Sequence, residues 1–269
     1  MTESTSNKPT LPRLVFAHAN GFPGSSYRSL LAPLAEHFDV HPVDRLGHHP
    51  DYPVNHNWTN LVDELLAHLP ETDEPLLGVG HSLGGTLMAM AADKQPQRFH
   101  GVIMLDPPLM LGPDAWAMKA AKRFGFIDRV TPAGKTQGRR TLWPSREAMA
   151  TYLGRRGLFR RFTPEALHDY IEAGTRVLED GRAELTFDPQ VEVEIFRHLP
   201  DHLSRLPQRV NVPLHVVAGS ESHLLTPSRI QRLRRRGLEI SMVPGTHMFP
   251  MEQPQETRAA ILETWRRFN

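Results

Sequence analysis

The chain has 269 residues, enough for two ordinary domains or for one large domain carrying an insertion. With 39% apolar and 23% charged residues, wholesale disorder and fibrous classes are excluded. Thirty-one basic against 30 acidic residues leave a net charge of +1, which removes the electrostatic case for general nucleic-acid binding, and zero cysteines exclude disulfides, thiolate metal sites and a cysteine nucleophile. No stretch reaches the roughly 18 uninterrupted apolar residues that span a bilayer. The opening MTESTSNKPT is polar and lacks the apolar run of a secretory signal, so a short polar leader and a cytoplasmic location are expected.

In chain order, LVFAHA (14–19) is a buried strand run ending at the turn cluster NGFPG. SYRSLLAPLAEHF (26–38) has helical spacing, but Pro33 must sit in its first turn or kink it. DVHPVD (39–44) reads as a strand, and WTNLVDELLAHL (58–69) as an amphipathic helix capped by Asn57. PLLGVGH (75–81) is a strand, followed by a helix of small residues from Leu83 to about Asp93. GVIMLD (101–106) is a further buried strand, closed by Pro107 and Pro108. After about 100 residues the rhythm resumes with strand 213–220, helix 228–236, strand 238–245 and a final helix near 255–268. Six strands alternating with helices call for a doubly wound, mostly parallel sheet covered on both faces.

The interval 107–208 breaks this rhythm and reads as a helical insertion, with residues 1–106 and 209–269 forming the core. Its charge is lopsided. Residues 119–161 carry 12 Lys/Arg against Asp128 and Glu147, while residues 163–201 carry 3 Arg against 10 Asp/Glu. Either the two halves neutralise each other, or the basic half attracts an anionic substrate such as an acyl thioester of coenzyme A.

The chemistry centres on Gly80-His81-Ser82-Leu83-Gly84, a G-x-S-x-G pattern between a strand and a helix. Such a turn is too sharp for side chains two residues either side of the serine, which explains both glycines. It projects the Ser82 hydroxyl beyond the sheet edge, with the helix N-terminus and the Leu83 N–H beneath it. A serine hydroxyl needs a base, and among 15 histidines His247, in GTHMFP just past the last strand, is the one placed at the same sheet edge. The order nucleophile then histidine also fits. A second oxyanion donor is expected from NGFPG, with the Phe22 N–H the candidate. His37/His41 and His198/His202 are spaced for metal only on a helix, which Asp39 and Pro200 spoil, so neither metal nor cofactor is expected.

Taken together, NGFPG, DRLGHHP (44–50), GHSLGG and GTHMFPMEQP resemble the α/β-hydrolase superfamily over about 14–106 and 209–269. The resemblance implies an α/β-hydrolase fold in which 107–208 caps the active site, and it gives Asp44 and His48 a loop-bracing role. The chain departs from the pattern twice. Thirteen residues leave little room for the usual opening hairpin, and Gly219-Ser220-Glu221-Ser222 has serine where the family acid is expected. Some members place the acid after the strand preceding the cap, where this chain has Asp106; Glu221 is the alternative.

The resemblance therefore implies a serine hydrolase that cleaves a small-molecule ester or thioester with Ser82, His247 and Asp106, and with backbone donors at Phe22 and Leu83. The alternatives are carbon–carbon bond hydrolysis or cofactor-free perhydrolysis by the same residues, or a receptor that keeps the pocket without turnover. A cleft between cap and core is expected, lined by Phe22, Leu83, His223, Met248 and cap aromatics such as Trp143. Oligomeric state is left open.

Overall fold

The computed structural model describes residues 11–269. The chain forms β1 (Arg13–Ala17), β2 (Asp39–Val43), β3 (Leu76–His81) and β4 (Phe99–Leu105), then an insertion holding β5 (Leu142–Trp143), β6 (Thr175–Val177) and β7 (Ala183–Leu185), then β8 (Leu214–Gly219) and β9 (Glu239–Val243). The main sheet has the order β2-β1-β3-β4-β8-β9, and every pairing in it is parallel. The central strands are nearly continuous apolar runs because helices cover both faces. Alternate side chains serve the two faces. Val15, Val102 and Met104 join the core under the helices Thr59–Ala67 and Leu83–Lys94, while Leu14, Phe16, Ile103 and Leu105 join Tyr27, Leu34, Phe249 and Ile261 on the other side.

Parallel strands deliver all their carboxyl ends to one edge. The segments after β1, β3, β4, β8 and β9 therefore emerge together, and those are the segments that carry Asn20, Ser82, Asp106, Ser222 and His247.

Local details depart from the sequence reading for identifiable reasons. Pro33 does break the expected 26–38 helix, leaving one α turn (Arg28–Leu31) and a 3-10 turn (Ala32–Glu36). Asn57 does not cap the next helix. It sits at φ 60°, and its Oδ1 accepts from the Asp201 N–H at 3.1 Å and from Lys122 Nζ at 3.3 Å. Asn55 does the capping instead, its Oδ1 accepting the Asn60 N–H at 2.9 Å.

The insertion is mainly helical (Pro113–Arg123, Arg146–Leu153, Pro164–Gly174, Pro189–Arg197) but also contains a small antiparallel sheet of order β5-β7-β6. These strands are two or three residues long and carry no apolar run, so no periodicity announces them. The oppositely charged halves of the insertion do meet, through Arg139–Glu192, Arg146–Glu172, Arg197–Asp128 and Lys122–Asp201. Among the described residues no helix is long and apolar enough to cross a membrane. The expectations of a polar leader and of little room for an opening hairpin fall mostly on residues 1–10, which lie outside the described residues.

Candidate active site

Ser82 sits between β3 and the helix Leu83–Lys94 with φ 52° and ψ −113°, a strained conformation for a residue with a side chain. The packing that enforces it is backbone against backbone. A Cβ at Gly80 would lie 2.3 Å from the Gly84 carbonyl carbon, and one at Gly84 would lie 2.1 Å from the Ala17 oxygen. The Gly84 N–H also donates to the His18 carbonyl at 3.1 Å, which ties the elbow to the end of β1.

Three side chains from distant positions form a continuous chain. The Ser82 hydroxyl lies 3.0 Å from His247 Nε2, and His247 Nδ1 lies 2.7 Å from Asp106 Oδ2. Asp106 is fully buried and the His247 side chain is 20% exposed, so the carboxylate is shielded while the imidazole reaches the opening. Asp106 has a positive φ of 45°, and its N–H is held by the Val217 carbonyl at 2.8 Å. Its Oδ1 accepts the Gly219 N–H at 3.2 Å, and its Oδ2 accepts the Ser222 hydroxyl at 2.6 Å. With His247 Nδ1–H as a third donor, the carboxylate is held from three sides.

Glu221 goes elsewhere: it accepts two hydrogen bonds from Arg161 at 2.7 and 2.9 Å on the exposed surface. Ser222, where the resembling family's acid is expected, donates its hydroxyl to Asp106, which directly follows β4. The sequence reading missed that role. It also missed Glu252, which accepts the Thr246 N–H at 2.8 Å and the Thr246 hydroxyl at 2.5 Å, bracing the loop that carries His247.

A buried polar bridge behind the serine links three loops. The Ala19 N–H donates to the Tyr27 hydroxyl at 3.3 Å, that hydroxyl lies 2.7 Å from His81 Nδ1, and His81 Nε2 lies 2.8 Å from the His247 carbonyl. A carbonyl only accepts, so Nε2 carries the proton and Nδ1 accepts from Tyr27. Burial holds the His81 imidazole well below its ordinary pKa, and His247 nearby adds to this. His18 is also buried and neutral, with its pKa lowered by burial to about 4; its Nε2 accepts the Leu46 N–H at 2.9 Å.

Leu83 is the first residue of its helix, where the N–H has no intrahelical acceptor. The Phe22 N–H, the candidate second donor, donates to the Ala19 carbonyl at 3.0 Å. The turn is tight enough to close on itself. The Phe22 ring is covered by three rings of the insertion: Tyr170 at 4.9 Å, Phe159 at 6.0 Å and Phe162 at 6.1 Å between centroids. His223 stands edge-on to His247 at 6.1 Å, and Met248 is buried in the same apolar cluster as Phe22. Trp143 packs within the insertion against Tyr152 and Arg140, so the aromatic cover of Phe22 comes from the other three rings. An open groove of about 540 Å³ at the junction of core and insertion is lined by Arg28, Pro33, Pro164, His168 and Asp169 among others, not by Ser82, His247 or Asp106.

The loop after β1 is also gripped from behind. Asn20 Nδ2 donates to the Glu192 carbonyl at 3.0 Å, and the buried Glu192 carboxylate lies where a Cβ on Gly21 would meet Oε2 at 2.8 Å. Arg139 satisfies that carboxylate at 2.6 and 2.9 Å and reaches the Tyr170 hydroxyl at 3.2 Å. Asp44 and His48 brace loops, as expected. Asp44 accepts the Ser25 N–H at 3.0 Å and its hydroxyl at 2.5 Å, and His48 Nε2 accepts the Asp188 N–H at 3.1 Å.

The chain belongs to the alpha/beta hydrolase family, whose sequence model matches residues 14–260. It is 24% identical to 3-oxoadipate enol-lactonase 2 of Acinetobacter baylyi over 96% of this chain and 90% of that one. It is 26% identical to a type I acyl-CoA thioesterase of Penicillium roqueforti over 57% of this chain, a match that spans only 37% of the thioesterase's own length. Among solved structures, E-2-(acetamidomethylene)succinate hydrolase superposes with a TM-score of 0.74 at 23% identity, covering 95% of this chain and 92% of that one. The thioesterase domain from the curacin biosynthetic pathway gives 0.71 at 20% identity with the same coverage. These structural likenesses establish the fold.

Proposed function

We propose that the protein is a serine hydrolase that cleaves an ester or thioester through an acyl-enzyme intermediate. The observation that carries this reading is the unbroken chain from Ser82 through His247 to the buried Asp106, at 3.0 and 2.7 Å. His247 Nε2 takes the Ser82 proton as Oγ attacks the carbonyl carbon, and Asp106 holds the imidazole in the tautomer that leaves Nε2 free to accept. The tetrahedral oxyanion is met by the Leu83 N–H at the helix N-terminus. The second donor, Phe22, must share its N–H between the Ala19 carbonyl and the substrate. Collapse expels the alcohol or thiol, which takes the proton from His247. Water then attacks the acyl-serine with His247 again as base, returning free acid and enzyme.

In this reading residues 107–208 form a cap, and Tyr170, Phe159 and Phe162 present an apolar surface for an acyl or aryl group beside Phe22. The names of the similar proteins, an enol-lactonase and a thioesterase, agree with attack on an activated carbonyl. A receptor without turnover needs no proton relay aimed at a serine. The test is turnover of a panel of p-nitrophenyl esters and acyl-CoA thioesters by the native chain and by Ser82→Ala, with fluorophosphonate labelling mapped by mass spectrometry. Turnover abolished by Ser82→Ala, with label on Ser82 alone, is expected. Label on another serine, or an active Ser82→Ala protein, overturns the assignment.

A further inference from the structure

Among the described residues eight large hydrophobic side chains are exposed, and four of them fall within residues 116–130: Trp116 (75%), Phe124 (74%), Val130 (55%) and Phe126 (36%). The helix Pro113–Arg123 explains the arrangement. Ala115, Met118 and Ala121 bury one face, so Trp116, Lys119 and Arg123, spaced three and four apart, share the opposite one. The next turn, Ile127–Val130, adds exposed Arg129 and Val130 beside Phe124 and Phe126 in sequence, and Lys135 follows. The Lys119 ammonium lies 6.0 Å from the Trp116 ring centroid.

The carboxylates around this face are already engaged by cations of the protein. Asp114 pairs with Arg229 and Arg232, Asp128 with Arg197, and Asp201 with Lys122. Among the described residues Lys119, Arg123, Arg129 and Lys135 form no ion pair. Among the described residues, the exposed side chains of this segment are therefore aromatic and cationic, and its two carboxylates, Asp114 and Asp128, are both paired.

We propose that residues 116–130 dock the protein onto an anionic lipid surface, with Trp116, Phe124, Phe126 and Val130 entering the headgroup layer and the cations facing lipid phosphates. Rings that enter the interface between flanking Lys and Arg are the chemistry of peripheral membrane attachment, which needs no spanning helix. A second copy of the chain fits the face less well. A two-fold contact would set the same cations against one another. Steering a small anionic substrate accounts for the charges but not for two rings each three-quarters exposed to water.

The test is flotation of the full chain with vesicles of phosphatidylcholine alone and of phosphatidylcholine mixed with phosphatidylglycerol. Binding to the mixed vesicles and not to the neutral ones is expected, weakening as salt rises. Replacing Lys119 and Arg123 by Glu should weaken binding at least about fivefold per charge removed, and Trp116→Ser with Phe124→Ser should weaken it about tenfold or more. These side chains are exposed, so an unchanged melting temperature verifies that each variant is folded. Equal binding to both vesicle types, or none to either, overturns the proposal. Retention of binding by the Trp116/Phe124 double variant reduces the face to a bare charge effect and also overturns it. A concentration-dependent dimer in sedimentation that this variant abolishes would assign the face to a second copy instead.

Discussion

The sheet and the insertion are held together by different physics. In the core the central strands are buried apolar runs, and the turns at their carboxyl ends are fixed by backbone packing, as at Gly80 and Gly84. In the insertion, much of the order comes from charge and aromatic contact: Arg139 on Glu192, Lys122 on Asp201, Arg197 on Asp128, and three rings on Phe22. The core brings Ser82, His247 and Asp106 together, and the insertion packs on the loop after β1. Apolar burial has no charge to titrate or to be screened, whereas the insertion's ion pairs have both. Changes at the carboxyl edge of the core should then strike turnover, changes at the insertion's ion pairs should strike stability in a pH-dependent way, and within the core a pH response needs a buried titratable group such as His18.

The largest effect expected is at Asp106. Losing the carboxylate that orients a triad histidine costs about 10⁴ in kcat, roughly 5.5 kcal/mol. Asp106→Asn should approach that loss, while Glu221→Gln, which only releases surface Arg161, should change kcat by well under tenfold. A near-normal Asp106→Asn enzyme, or a crippled Glu221→Gln one, would move the acid and erase the distinction between buried core and exposed edge.

Next comes the ion pair behind the loop after β1. Arg139→Gln leaves the Glu192 carboxylate buried without its cation, which should cost about 3–5 kcal/mol. Burial already pushes the Glu192 pKa up and Arg139 opposes that push, so removing the cation raises it further. Above the unfolded value the folded state then binds the extra proton, and stability falls as pH rises from about 4.5 towards the folded pKa. Denaturant melts should show Arg139→Gln recovering at pH 5 relative to pH 8, and Glu192→Gln should rescue part of the loss. A pH-independent deficit would mean the pair acts only by packing.

Buried His18 in the core should show the opposite slope. Its pKa is lowered from 6.5 to about 4 by burial, so between those values the unfolded chain binds more protons. Its contribution is complete above about pH 6.5 and is lost as pH falls to about 4. At about 1.4 kcal/mol per pH unit the loss amounts to about 3 kcal/mol. His18→Gln should flatten the acid limb of a stability–pH curve by about one proton; an unchanged slope would assign that limb to other groups.

The four central strands β1, β3, β4 and β8 were legible because a buried parallel strand must be a nearly continuous apolar run. The serine elbow was legible because glycines at positions 80 and 84 are what its steric crowding demands. Asp106 stood out because it directly follows the apolar run GVIML that closes β4. What escaped notice depends on contacts between distant residues. Arg139 and Glu192 are 53 positions apart, Ser222 looked like a lost acid, and the Tyr27 hydroxyl meets a histidine 54 positions away. That the Phe22 N–H closes on the Ala19 carbonyl escaped notice because a turn's internal hydrogen bond depends on dihedral angles that residue types such as NGFPG only restrict.

The smallest effect, and the most informative about the core, is expected at Tyr27. Its hydroxyl is the middle of the bridge from Ala19 N–H to His81 and on to the His247 carbonyl. Tyr27→Phe preserves the ring that packs on Phe16 at 4.7 Å and removes only the oxygen. Two buried groups then lose their partner, the Ala19 N–H and His81 Nδ1, at a cost of about 1–3 kcal/mol. The melting temperature alone would not distinguish a brace from a positioning device, since either role predicts a loss. The division between kcat and KM does. Ala19 also holds the Phe22 N–H, so a loosened Ala19 disturbs the oxyanion loop, whose interactions strengthen in the transition state. A fall in kcat of about tenfold, with KM little changed, is therefore expected at a temperature where the variant is fully folded. An equally destabilising apolar change far from this edge, such as Leu34→Ala, should leave kcat intact. If Tyr27→Phe and Leu34→Ala lower the melting temperature alike and both keep full kcat, the bridge serves only to fold the protein, and the core places its reacting groups by packing alone.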